Sequence, residues 1–435
     1  MITAREAAFA LLKKLQKDAA YSNLLLENAA LTRELSARDR ALTSALVYGV
    51  IEHRLTLDFN LELYLTKPLQ KLSPDAVCVL RLGALQLLYL EKIPPSAAIN
   101  ESVKLAKKHC AFASGLCNAV LRKVSQNGLR LPPEENESYL SVKYSCPQWL
   151  IDRWTHDYGE ETARGILSAS FAPQGFTVRV NPLKTDAEAL LSRLAQEGVS
   201  AAPTELPLVL RLNRLPCRVD ELPSFRDGLF HAQDKASVLC ALAVGAKPGE
   251  TVFDLCAAPG GKTFTLSEEM QNRGVVKAFD LHSHRVALIA EGANRLGLSC
   301  VRAAQGDASA FDPALGLAHR VLCDVPCSGL GILRQKPEVK WKDPDSLGEL
   351  PAIQLKILEN GARYVRPGGR LVYSTCALSC AENEDVCDAF RRKHPELRPV
   401  PALPQLSGQP FLTLFPHTHD CDGFFIAAFE KETDA

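Results

Sequence analysis

The chain has no net charge: 50 Lys and Arg stand against 50 Asp and Glu over 435 residues. It also lacks a long apolar run, a C-x-x-C pair, an internal repeat, a low-complexity tract and the G-x-G-x-x-G dinucleotide fingerprint. Each absence excludes something. Without an apolar stretch of about 20 residues no membrane partner is expected. The opening Met1-Ile2-Thr3-Ala4-Arg5-Glu6 has no apolar core of a signal peptide, so a cytoplasmic location is the expectation. The missing C-x-x-C weakens a structural zinc reading, and no metal is expected. The fourteen cysteines then read as reduced thiols rather than a disulfide framework. With 46% apolar and 23% charged residues, disorder is not the default. A length of 435 residues suits two or three domains, here expected in a monomer.

The zero net charge conceals an asymmetry. Residues 1–130 hold 18 Lys and Arg against 11 Asp and Glu, so the remainder is acidic. A basic module at one end suits the gripping of a polyanion, although a solvated basic helical surface has the same composition. Apolar clusters at helical spacing in 4–15, 40–51, 75–89 and 99–124 predict an all-α bundle of roughly five to seven helices. Lys104, Lys107, Lys108, Arg122 and Lys123 can share a helix face. A polar, proline-containing stretch (NGLRLPPEEN) then reads as a linker. Residues 140–235 predict a small α+β module: a helix over 147–168, in which Trp149 and Trp154 pack, a strand at 176–181, a capped helix over 185–197, and short strands near 208–212 and 228–231.

From 236 to 435 the pattern becomes β-loop-α. Strands are predicted at 251–255, 275–280, 300–305, 320–323 and 370–374, which implies a doubly wound, mostly parallel α/β sheet. In such a sheet ligands bind at the carboxyl ends of the strands. The first of these strands runs into Cys256-Ala257-Ala258-Pro259-Gly260-Gly261-Lys262, whose glycines permit close backbone approach to a ligand at a helix N-terminus. The loop nearly matches the phosphate loop G-x-x-x-x-G-K-[ST], but Cys256 stands where the first glycine is required. Asp254, Asp280, Asp307 and Asp324 end or closely follow successive strands. One such Asp is usually a turn residue; four beside a glycine loop favour a nucleoside-bearing cofactor.

Two strand ends carry thiols, Asp324-Val325-Pro326-Cys327 and Ser374-Thr375-Cys376. Adjacent strand ends would bring both sulfurs to one substrate, with Lys262 the nearest cation to favour a thiolate. Cys240, Cys300 and Cys323 read instead as buried small hydrophobes. His417, His419, Asp420 and Cys421 resemble a metal cluster but read as a solvated turn, and Trp341 in KPEVKWK suits either a nucleic-acid groove or a packing anchor.

Residues 254–263 (DLCAAPGGKT), 324–331 (DVPCSGLG) and 374–376 (STC), with 230–237 (FHAQDKAS) upstream, resemble the Sun-type RNA cytosine-5 methyltransferases. Residues 36–51 (SARDRALTSALVYGVI) and 98–121 resemble the NusB-like RNA-binding domain. The resemblance implies a Rossmann-like methyltransferase domain over 236–435, behind a NusB-like bundle (1–130) and an RRM-like module (140–235). It implies S-adenosylmethionine bound by residues 256–262, with Asp280 on the ribose and Asp307 on the adenine; Asp324 also lines the site and holds the cytosine edge. Cys376 matches the family's nucleophile and Cys327 its releasing cysteine. Val325 and Ala377 depart from frequent family residues without removing a reacting group. The implied activity is transfer of a methyl group to C5 of a cytosine, single-stranded or flipped out, in 16S ribosomal RNA. The same chemistry on a tRNA or another ribosomal cytosine, a P-loop NTPase, and a non-catalytic RNA-binding antitermination or assembly factor stay open at this point.

Overall fold

The structure, a computed structural model, describes residues 2–17, 35–172 and 175–433, and counts of elements refer to these. The chain forms two compact units: Met1–Phe171 together with Gln335–Asp343, and Ala172–Arg334 together with Pro344–Ala435.

The first unit is helical. Helices Ala4–Lys17, Ala37–Glu52, Arg54–Glu62 and Pro74–Tyr89 pack with Pro95–His109 and Ser114–Asn127. The central helix, Pro74–Tyr89, starts on a Ser73 cap that accepts the Ala76 N–H, has proline in its first turn, and is buried along most of its length. The continuous helix expected over 99–124 is instead two helices, because Cys110 (φ −151°) leaves the helical region before the turn Ala111–Ala113. The segment Gln335–Asp343 belongs to this unit. Trp341 donates its indole N–H to the Ile51 carbonyl at 2.9 Å, and the Arg54 guanidinium lies 4.9 Å from its ring. Lys340 is buried and donates to the Glu52 carbonyl at 2.6 Å; burial lowers its pKa to about 8. Trp341 is therefore a packing anchor.

The second unit contains two sheets. The smaller is antiparallel in the order β2-β3-β1-β4, from β1 (Phe176–Val180), β2 (Ser200–Pro203), β3 (Val209–Arg214) and β4 (Phe230–Ala232). The helix Ala187–Gln196, capped by Asp186 on the Ala189 N–H, packs Leu190 and Leu194 into its core.

The larger sheet has the order β10-β12-β9-β8-β5-β6-β7, with β11 paired to β12. Its strands are β5 (Thr251–Asp254), β6 (Val275–Asp280), β7 (Val301–Gln305), β8 (Ala318–Asp324), β9 (Val365–Thr375), β10 (Leu397–Val400), β11 (Phe411–Leu414) and β12 (Phe424–Lys431). The five strands β5–β9 pair in parallel, and β10–β12 add an antiparallel edge that the strand pattern did not anticipate. Strand order reverses between β5 and β8, the topological switch point where an open α/β sheet leaves a crevice at its carboxyl edge.

A buried ion pair joins the two sheets' layers. Arg179 on β1 donates to Glu268 and Glu269 at 2.7 Å each, from the helix Gly261–Glu269 that follows the glycine loop. Arg179 and Glu268 are 1% and 3% exposed, so neither charge has water to fall back on. Arg179→Met should therefore destabilise the protein by about 3–5 kcal/mol, by removing the guanidinium from Glu268 and leaving only His231 Nε2, 3.3 Å away, beside that buried carboxylate. A denaturant midpoint measures this, and adding Glu268→Leu should restore most of the loss.

Candidate active site

The crevice is built from the loops that leave β5, β6, β8 and β9. After β5 the chain turns through 255–260 into the helix Gly261–Glu269. The Ala257 N–H is held by the Phe279 carbonyl at 2.7 Å, and the Gly260 N–H by the Ala257 carbonyl at 2.8 Å. Gly260 sits at φ +112°, and a Cβ there would lie 2.4 Å from the Phe264 ring, so this turn requires glycine. Asp254, fully buried, accepts the Thr263 hydroxyl at 2.7 Å through Oδ2, while its Oδ1 is buried without a partner among the described residues. Burial raises its pKa to about 7.

Asp280 closes β6. It accepts the His282 N–H at 3.1 Å and pairs with Arg285 at 3.1 Å; Arg285 also donates to the Ala258 carbonyl at 2.8 Å. Arg285, which ties the glycine loop to this carboxylate, was not singled out from the sequence. Asp307 follows β7 and accepts both the N–H and the hydroxyl of Ser309, which lower its pKa. These residues fit a nucleoside: an acceptor at the end of β6, a loop with no side chain at Gly260 or Gly261, and an unpaired buried carboxylate oxygen beneath it.

The candidate reactive groups lie at the ends of β8 and β9. Asp324 accepts Lys262 Nζ at 2.8 Å and the Ser374 hydroxyl at 2.8 Å. Burial opposes the charge on Lys262, but the Asp324 carboxylate outweighs it and raises the pKa; the ammonium also lies 5.1 Å from the Phe424 ring. Cys327 and Cys376, both half-buried, have their sulfurs 3.3 Å apart. Their shared proton lowers the pKa of Cys376, and burial and two acids against it do not reverse the shift, which Lys262 reinforces. The Cys327 pKa is pushed up by the same S–H···S bond, by burial and by Glu382. Gly331 pins the arrangement: its N–H donates to the Cys376 carbonyl at 2.9 Å and its carbonyl accepts the Gly423 N–H at 2.8 Å. A Cβ at Gly331 would lie 2.0 Å from the Gly423 oxygen, so no other residue allows this approach.

Of the remaining sequence candidates, Cys240, Cys300 and Cys323 are buried in apolar clusters. His419 bonds within the turn Pro416–His419, Asp420 pairs with Arg211, and Cys421 is buried; no group of three or more metal-type ligands occurs among the described residues. No helix among those residues is long and apolar enough to cross a membrane. In the helical unit, an open hollow of ≈ 700 Å³ is lined by Glu6, Lys13, Lys14, Lys108 and His109 beside Phe9, with Lys108 paired to Glu6 and Lys13 to Asp75.

Known proteins share this architecture and these segments. Three family profiles match: 16S rRNA methyltransferase RsmB/F over residues 241–430, the NusB family over 2–126, and an RsmF/B-like ferredoxin-like domain over 146–220. The probable ribosomal RNA small subunit methyltransferase B of Bacillus subtilis is 39% identical, covering 98% of either chain. That of Synechocystis sp. is 35% identical, covering 99% of this chain and 100% of the relative. The crystal structure of PH0851 matches with a TM-score of 0.81 at 27% identity, covering 99% of both chains. With 39% and 35% identity to these relatives over nearly the full length, the chain belongs to the ribosomal RNA small subunit methyltransferase B family.

Proposed function

We propose that this protein methylates C5 of one cytosine in 16S ribosomal RNA through a covalent cysteine adduct. The observation that carries the reading is the convergence of Cys327, Cys376, Asp324 and Lys262 beside the glycine loop. S-adenosylmethionine, the methyl donor, supplies an electrophilic methyl group when bound. Residues 256–262 and Asp280 would hold it, with Asp307 towards the adenine.

Cytosine C5 is too poor a nucleophile to take a methyl group unaided. The Cys376 thiolate attacks C6; the C5=C6 π pair moves onto C5 and is shared with the N3 side of the ring, which splits one difficult step into easier ones. Asp324 holds the N3/N4 edge of the base, and the Lys262 ammonium beside it stabilises negative charge there. After methylation the C5 proton leaves, its bonding pair restores C5=C6, and the C6–S bond breaks to return the Cys376 thiolate. Cys327, whose sulfur lies 3.3 Å from that of Cys376, assists that release.

The target base must be single-stranded or turned out of its stack, at a cost of a few kcal/mol. Phosphate contacts from the NusB-like bundle (1–130) and from the middle module (140–235) would offset that cost and fix register.

Cys376→Ala should lower turnover by on the order of 10³-fold or more, measured as methyl incorporation into 16S RNA; full activity in that variant removes the nucleophile assignment. Cys327→Ala should accumulate an RNA–protein adduct that survives a denaturing gel, and a clean gel counts against Cys327 as the releasing group. Bisulfite sequencing of ribosomal RNA should show one 16S cytosine protected only in cells that contain the protein. Protection confined to a tRNA would keep the chemistry and change the substrate.

A further inference from the structure

The two sulfurs are chemically alike, yet the proposed reaction needs them to differ: one must enter as thiolate and the other as thiol. At 3.3 Å they share a proton, and only the surrounding charges can decide which sulfur keeps it.

On the Cys327 side stands a carboxylate that the reaction as described does not use. Glu382, in the short turn Cys380–Glu382 that follows β9, is 2% exposed. Its Oε2 accepts the Ser328 N–H at 2.8 Å and the Gln354 side-chain amide at 2.9 Å. The same Gln354 nitrogen donates to the Pro326 carbonyl at 3.0 Å, and the Tyr373 hydroxyl donates to the Glu382 main-chain carbonyl at 2.5 Å. The peptide groups on both sides of Cys327 are thus tied to this one residue. Its other oxygen, Oε1, is buried with no hydrogen-bond partner among the described residues.

That last fact separates a clamp from a charge. A neutral glutamine would accept the same two N–H groups through one oxygen. Burying a charged carboxylate costs more free energy than burying a neutral amide, so a clamp alone does not require the acid. The negative charge itself needs a role, and the group it borders is Cys327.

We infer that Glu382 is a positioning residue that polarises the thiol pair, holding the shared proton on Cys327 so that Cys376 is the thiolate. The inference rests on the proposed role of Cys376 as nucleophile. The charged and polar groups that act most strongly on the pair enter the balance. Beside Cys376, Lys262 favours the anion while Asp324 and Asp422 oppose it. Beside Cys327, the Gly329 N–H favours the anion while Glu382 opposes it. Lys262 draws the negative charge towards Cys376 and Glu382 repels it from Cys327, so both act in one direction. This orders the chemistry. The sulfur that attacks C6 is ionised before substrate arrives, and the second sulfur cannot compete for the same carbon.

The test is site-resolved alkylation of the full-length protein by iodoacetamide, read by peptide mass spectrometry, without RNA or methyl donor. Thiolate reacts and thiol does not, so the labelling ratio reports where the proton sits. In the unaltered protein Cys376 should be labelled at least about tenfold faster than Cys327, one unit of pKa difference. Faster labelling of Cys327 in that protein overturns the inference without any variant. Glu382→Gln keeps the hydrogen-bond acceptor and removes the charge; it should bring the two rates within about threefold. The acid limb of its methylation rate should move to lower pH, since a negative neighbour is gone, while the plateau rate falls. A merely structural role predicts a lower rate with labelling ratio and acid limb unmoved, and that result rejects the inference. Active Cys376→Ala would instead bring down the nucleophile assignment, whatever the labelling ratio in Glu382→Gln.

Discussion

The arrangement of the two cysteines depends first on one register. In the parallel pair β8–β9, Asp324 lies opposite Ser374 and Cys323 opposite Tyr373, so the two strands end level. Level ends deliver Pro326-Cys327 and Thr375-Cys376 to one rim, although 49 residues separate the cysteines. A slip of one residue would turn every side chain of a strand to the opposite face and part the sulfurs. The register is fixed from both faces of the sheet: Val321, Leu371 and Tyr373 lie in one apolar cluster, Leu322 and Val372 in the other. Function here is a property of core packing transmitted along two strands to their last residues.

The second requirement is charge placed where water cannot dilute it. Lys262 and Asp324 form a pair whose ammonium also faces Phe424. With low solvent exposure the pair's field acts on the sulfurs with little screening. Asp254 completes the floor, with one oxygen on Thr263 and the other unpaired. The site therefore accumulates costs that a core would avoid, and its supports recover them: the Arg179–Glu268 pair behind the helix Gly261–Glu269, and Gln354 and Glu382 beneath the Cys327 loop. An unsatisfied or strained group at such a place marks where chemistry has been given priority over stability.

Much of this was legible in the sequence because the informative residues sit at the ends of predicted strands. The β-loop-α alternation predicted the parallel strands to within a few residues, and the motifs at 254–263, 324–331 and 374–376 fall on the rim. What was not legible lacks a local signal. β10–β12 were not anticipated, since β12 is a continuous apolar run whose antiparallel partner is set only by long-range pairing. β2 consists of Ser, Ala and Pro, which carry no strand propensity. Glu382, Gln354 and Arg285 stand alone in a turn and two helices, where a polar residue ordinarily reads as solvated. Trp341 could be read equally as groove or anchor, because nothing near it in the chain reveals that its partner is Ile51.

The unanticipated antiparallel edge proves to belong to the site. β12 runs against β9 with Phe425 opposite Thr375, so the residues just before β12 return to the rim where Cys376 lies. There Phe424 meets the Lys262 ammonium and the Gly423 N–H reaches Gly331, whose own N–H holds the Cys376 carbonyl. Arg334, donating to the Cys421 carbonyl, closes the same rim. A purely parallel sheet would leave the Cys327 and Cys376 loops tethered at one end each. Gly331 bonds the two loops directly, the hairpin adds a tether to Gly331 through the Gly423 N–H, and these main-chain hydrogen bonds across glycine hold two loops at a spacing that side chains alone would let drift. In the proposed reaction one sulfur bonds C6 and the other assists its release, and the spacing this requires is what the C-terminal strands secure.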